Sequence, residues 1–126
     1  MNTAPFTLQY DAKGHILEAI ATGMWTTQTV IAFADAVNAQ TDRIQTGAGL
    51  GKPLGILISA DSHGVQSRRV AEDLQAFAQT VSKRVDRLAV VVGSVLHKLQ
   101  SETIHPTADH RTFRSRAEAL HWLQRC

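Results

Sequence analysis

Apolar and polar residues alternate in Phe6-Thr7-Leu8-Gln9-Tyr10, the period-2 signature of a strand with one face buried. Asp11-Ala12-Lys13-Gly14 supplies turn formers, and Ile16 to Met24 can return as a second strand, so the N-terminal segment predicts a β-hairpin. The period then lengthens. Val30, Phe33, Ala34, Val37 and Ile44 fall at helical spacing, and Thr26 or Thr27 can cap the helix they define. Leu54-Gly55-Ile56-Leu57-Ile58 is a short apolar run with the look of a central strand covered on both faces. Asp61-Ser62-His63-Gly64 reads as a turn. Beyond it Val70, Leu74, Phe77, Ala78 and Val81 form one apolar stripe, with Arg68, Arg69, Glu72, Asp73, Gln75 and Lys83 around the rest of the helix.

Arg87-Leu88-Ala89-Val90-Val91-Val92 carries a continuous apolar run after its arginine, which suits a strand buried in a parallel sheet. Gly93-Ser94 then turns into a predicted helix with Val95, Leu96 and Leu99, ended at His105-Pro106 because proline disfavours helix in the residue before it. His110 to Arg114 reads as an edge strand around Phe113. Ser115-Arg116-Ala117-Glu118 has the spacing of a capping box and opens a last helix with Ala119, Leu120 and Leu123 facing inward. Trp122 stands off that stripe, as a structural anchor or as the mark of a contact surface. Strand and helix alternate from Ile16 onward, so the chain predicts an α/β fold: a mixed, mostly parallel sheet of about five strands with about four helices.

A length of 126 residues and a mass of 13.8 kDa fit a single domain spanning residues 1–126. A chain of this size buries about two-thirds of its unfolded surface, so no disulfide or metal staple is needed. With 44% hydrophobic and 19% charged residues, the apolar content is enough to offset the entropy of ordering. Thirteen Lys+Arg against eleven Asp+Glu leave a net charge of +2, too slight to capture nucleic acid or an anionic membrane. No secretory signal and no membrane-spanning stretch is visible, which sets the expectation of a cytoplasmic protein. Cys126, the lone cysteine, has no internal partner for a disulfide.

The order of hairpin, helix, apolar strand, helix, Val-rich strand, helix, strand and short helix resembles the STAS/SpoIIAA-like fold. The likeness is to small bacterial STAS-like domains, through Arg87-Leu88-Ala89-Val90-Val91-Val92-Gly93-Ser94 and the tail from Arg111-Thr112-Phe113 through Glu118-Ala119-Leu120-His121-Trp122-Leu123. These motifs are a buried strand, a capped helix and apolar anchors; they point to a fold and to no reaction. In anti-sigma-factor antagonists of that family a serine at the start of the second helix is phosphorylated, within Asp-Ser-Ser-Gly. Counted from Ile58, the equivalent stretch is Gln66-Ser67-Arg68-Arg69, which implies Ser67 as phosphoacceptor, with Gln66 replacing the Asp and Arg69 the Gly. Asp61-Ser62-His63-Gly64 is a second match by letters and makes Ser62 the alternative. A phosphate on Ser67 would meet free amides at a helix start, with Arg68 and Arg69 adjacent. The plainer reading is that Ser62 or Ser67 caps the helix.

Other chemistries find weaker support. Gly47-Ala48-Gly49-Leu50-Gly51-Lys52-Pro53 fails as a Walker loop, having Thr46 where the first glycine belongs and Pro53 where Ser or Thr belongs. A dinucleotide fingerprint would need glycine where Lys52 stands, so the segment reads as a surface loop. His97, His105, Asp109, His110 and His121 crowd the last third, but none shows the His-x-x-x-His spacing of a helical metal pair, and no metal or other cofactor is expected. There is no Gly-x-Ser-x-Gly elbow and no positioned base for a nucleophile, so no catalytic residue is assigned. The reading is a non-enzymatic module with a protein partner. Its working surface would run from Ala60 to Gln66 and on to Arg69, with Asp61, His63, Arg68 and Arg69 as contact or anion-binding residues. Two alternatives stay open: a domain binding a small apolar or nucleotide ligand, and a homodimer that covers an exposed edge strand or hairpin.

Overall fold

A computed structural model describes residues 5–47, 50–62, 66–93 and 110–124, with Asp61 and Ser62 described by backbone alone. Five strands, β1 (Phe6–Asp11), β2 (Ile16–Thr22), β3 (Gly55–Ser62), β4 (Arg87–Val92) and β5 (His110–Phe113), form one sheet in the order β1-β2-β3-β4-β5. β1 runs antiparallel to β2, with Phe6 opposite Ala21 and Asp11 opposite Ile16, and every other neighbouring pair is parallel. The described helices are α1 (Thr27–Thr46), α2 (Arg68–Ser82) and α3 (Arg116–Gln124). The helix expected after Ser94 lies outside the described residues.

Side chains alternate across a strand, so the sheet has two distinct faces. One carries Leu17, Ala19 and Ala21 of β2, Ile56, Ile58 and Ala60 of β3, and Leu88 of β4, packed under α1 and α2. Phe33 is the hub of this layer, with ring centroids 5.2 Å from Phe6, 5.0 Å from Trp25 and 5.2 Å from Phe77. Most of the apolar stripe positions read from the sequence are buried, with Ala34 and Leu74 only half-buried and Thr41 added to the stripe of α1. Its hydroxyl is satisfied by donating to the Val37 carbonyl at 2.8 Å. Trp25 and Val30 flank the Thr26 cap as a hydrophobic staple, both buried in one cluster.

The second face carries Ile16, Leu57, Ala89 and Val91 under α3, which contributes Ala119, Trp122 and Leu123. Gly55 lets that helix come close: a Cβ there would stand 3.1 Å from Leu123 Cδ2. Trp122 is buried and so acts as an anchor, 5.6 Å from Phe113 between centroids, while Leu120 is only half-buried. The Ser115 hydroxyl accepts from the Glu118 N–H at 3.3 Å, as the capping spacing predicted.

Several boundaries differ from the sequence reading: β3 starts at Gly55 rather than Leu54, and β5 ends at Phe113 rather than Arg114. β2 stops at Thr22 rather than Met24 because Gly23 turns the chain with φ +77°. β3 continues through Asp61 and Ser62, which were read as a turn. It is the central strand with a ladder on both sides, Ala60 opposite Val92 and Ser62 opposite Thr22 across a register shift.

Candidate functional site

In a parallel sheet the helix starts and strand ends gather on one rim, where ligands and partners of α/β proteins usually meet the fold. Here that rim joins the turn after β2, the end of β3 and the start of α2. Gln66 holds it together. Its side chain is buried, accepts the Trp25 backbone N–H at 2.8 Å and donates to the Gly23 carbonyl at 3.1 Å. The Trp25 indole N–H is used nearby, on the Thr22 carbonyl at 3.0 Å. Met24, between the two backbone groups held by Gln66, is left 73% exposed.

Ser67 follows directly. It is the N-cap of α2 with extended backbone, and its hydroxyl accepts the Val70 N–H at 3.3 Å while the residue stays exposed. Arg68 and Arg69 project from the first turn with side chains 93% and 74% exposed, each paired one turn along, with Glu72 at 3.2 Å and Asp73 at 3.4 Å. Of the other residues read from the sequence, Asp61 and Ser62 belong to β3 and His63 lies outside the described residues. The rim therefore brings Ser67, Arg68 and Arg69 together at one helix start, with Asp61 and Ser62 placed by backbone at the end of the neighbouring strand.

A second polar centre escaped the sequence reading. Glu18 points to the α3 face, where its carboxylate accepts from Ser59 Oγ at 2.9 Å and from Arg116 Nε and Nη2 at 3.0 and 2.8 Å. The Arg116 hydrogen bonds hold its carboxyl below the ordinary glutamate value, against the opposing effect of burial and with help from Ser59 and the Arg116 charge. A lone charge inside the apolar run Ile16-Leu17-Glu18-Ala19-Ile20 was the visible signal, but its partner stands 98 residues away. A cavity of about 110 Å³ lies beside this pair, and another of about 260 Å³ between His15, Leu54, Asp86 and Leu123. Among the described residues no three His, Cys, Asp or Glu side chains converge as a metal site would require, and no helix is long and apolar enough to cross a membrane.

The sheet order, the helix positions and the capped α2 define a STAS-like α/β module. A model of the SpoIIAA-like family matches residues 16–124, and the chain belongs to that family. Its fold is also similar to the crystal structure of an uncharacterized protein of the DUF3478 family, with a SpoIIAA-like fold, from Shewanella loihica PV-4. That match has 17% identity and a TM-score of 0.67, and it covers 98% of this chain and 97% of that one. No curated protein matches the sequence.

Proposed function

We propose that this domain is a non-catalytic regulatory module that engages a protein partner at the rim around Ser67, switched by phosphorylation of that serine. One observation carries the reading: Ser67 presents an exposed hydroxyl at a helix start while the preceding residue, Gln66, is buried and tied to the neighbouring turn. A phosphate there would alter the charge of a fixed surface without having to order it. The α2 dipole and the Val70 N–H favour the anion, and the exposed pair of Arg68 with Glu72 is weak enough to exchange for it. Ser62 is the second candidate acceptor, at the end of β3. The two cavities described above lie at the other end of the parallel strands. Both are smaller than the roughly 300–1,000 Å³ usual for a small-molecule site.

The test uses a substitution that separates charge from fold. Ser67→Asp keeps an N-cap acceptor and adds a negative charge, so α2 stays capped. A partner captured from native lysate by the wild-type chain and lost with Ser67→Asp, together with phosphopeptides carrying Ser67, is the expected result. Absence of phosphate at both Ser67 and Ser62 across growth conditions, with unchanged capture by Ser67→Asp, overturns the proposal.

A further inference from the structure

The sheet ends in two unlike edges. β5 is four residues long and carries the exposed Arg111, the kind of charge that discourages a chance partner strand. β1 is six residues long, and from Phe6 to Tyr10 it holds no charge, no proline and no bulge. Two hydrogen bonds fix where its backbone groups point. The Thr22 N–H donates to the Pro5 carbonyl at 3.0 Å, and the Gly55 N–H donates to the His15 carbonyl at 3.0 Å. The first puts the odd-numbered residues of β1 in bonds to β2, and the second puts the odd-numbered residues of β2 on its β3 side. Because antiparallel pairs alternate, the N–H and C=O groups of Phe6, Leu8 and Tyr10 point out of the sheet. Among the described residues no strand pairs with that edge. The same three side chains are only half-buried, whereas Ala21, Ala19 and Leu17 opposite them on β2 are buried.

These outward groups are symmetric about Leu8, so the edge is complementary to itself. We infer that β1 pairs antiparallel with β1 of a second copy of this chain, across a two-fold axis at Leu8, and joins two five-stranded sheets into one. Leu8 then lies opposite Leu8 of the second copy, and Phe6 opposite its Tyr10. Each such pair exchanges both N–H···O=C bonds, so no outward group of Phe6, Leu8 or Tyr10 is left over. A slip of one residue would set apolar side chains against the polar face, and a slip of two would strand the groups of Phe6 or Tyr10. On the exposed face Thr7 comes opposite Gln9 of the second copy, in a pair without hydrogen bonds, where side chains approach most closely. Every opposed pair from Phe6 to Tyr10 joins neutral side chains, so two chains of net charge +2 meet here with no like charges in contact. The pairing does not depend on phosphorylation of Ser67.

Analytical ultracentrifugation from micromolar to millimolar chain tests the assembly, and amide hydrogen exchange read by NMR tests the edge. The expected result is a monomer–dimer equilibrium in which the Phe6, Leu8 and Tyr10 amides gain protection as concentration rises. The Thr7 and Gln9 amides, already bonded to β2, should not change. Thr7→Lys with Gln9→Lys sets like charges opposite each other on both sides of the axis and should weaken the dimer about tenfold. Thr7→Glu with Gln9→Lys makes the same two positions attract and should restore or tighten it. Both positions are exposed, so both variants should keep the far-UV dichroism and melting temperature of the dilute wild-type chain. A single-chain mass at every concentration overturns the inference. A dimer that leaves the Phe6, Leu8 and Tyr10 amides unprotected, or that ignores the charge pattern, overturns it as well.

Discussion

α2 and α3 open with the same dipeptide, Ser67-Arg68 and Ser115-Arg116, and use it in opposite ways. Both serines accept a backbone N–H of the first turn at 3.3 Å. Arg68 then closes a local pair with Glu72 in open solvent, whereas Arg116 reaches Glu18 in the middle of the sheet. The difference lies in what each helix buries. α2 has 15 residues and an apolar stripe that enters an aromatic cluster, so its orientation is set before any charge is placed. α3 has nine residues, below the length at about 12–15 where an isolated helix is even marginal, and it buries only Ala119, Trp122 and Leu123. Polar bonds to Glu18 and from Arg87 complete its seat. Identical local sequence therefore acquires a long-range structural role on one face and only a local, solvent-exposed pair on the other.

The largest effect expected on the α2 side comes from Phe33→Ala. Phe33 is 1% exposed and contacts three aromatic rings, so its loss should cost about 3–5 kcal/mol, read from urea unfolding midpoints. A loss under about 1 kcal/mol would show that the aromatic cluster does not set this layer. Gly55→Val probes the α3 side. The new side chain meets Leu123 at the distance already noted, and overpacking of this kind costs about 1–3 kcal/mol. The damage should be local, seen as altered near-UV dichroism of Trp122 with helix α1 still protected in hydrogen exchange. Equal loss of protection in α1 would deny the two faces their independence.

These contrasts also mark what could be read from the chain alone. The continuous valines of β4 and the stripe of α2 are local patterns, and both are buried except for half-buried Val90 and Leu74. The order of the strands was not part of that reading; in the structure each crossover joins sheet neighbours. What depended on distant partners could not be read. Gln66 looked like a departure from a family motif, yet its amide bonds Gly23 and Trp25 across more than 40 residues. β3 outran its apolar run because strands on both sides supplied ladder partners for Asp61 and Ser62 or their neighbours. At the candidate site, Ser67 was legible as a cap, since Ser is a favoured N-cap by itself.

Acid should separate the two faces. Glu18 titrates below its ordinary value of 4.5 in the fold, so its contribution is complete above 4.5 and fades as pH falls through the lowered value. Glu18→Gln should cost about 1 kcal/mol at neutral pH, a modest figure because Arg116 is 56% exposed, and should flatten the stability profile only below pH 4.5. His110 shares the register position and face of Leu88, and burial lowers its value from 6.5. Its contribution is complete above 6.5 and fades as pH falls through its own lowered value, so early acid loss should persist in Glu18→Gln. Melting temperatures across pH 3–8 on both proteins check this, and a variant flat above pH 4.5 as well would contradict it.

The smallest effect should come from Arg68→Ala. Its pair with Glu72 joins two exposed side chains at i and i+4, worth about 0.3–0.5 kcal/mol at low salt and less as ionic strength rises. Part of even that is offset, because a cation in the first turn opposes the helix dipole and its removal is favourable. Arg116→Ala makes the same chemical change in the other Ser-Arg pair but strands the Glu18 carboxylate, 15% exposed, without its main partner. Measured side by side, Arg116→Ala should lower the unfolding midpoint clearly while Arg68→Ala leaves it within error of the wild type. Equal losses would mean that the two helix starts do the same structural work. The expected inequality would assign a structural role to Arg116 and none of comparable size to Arg68.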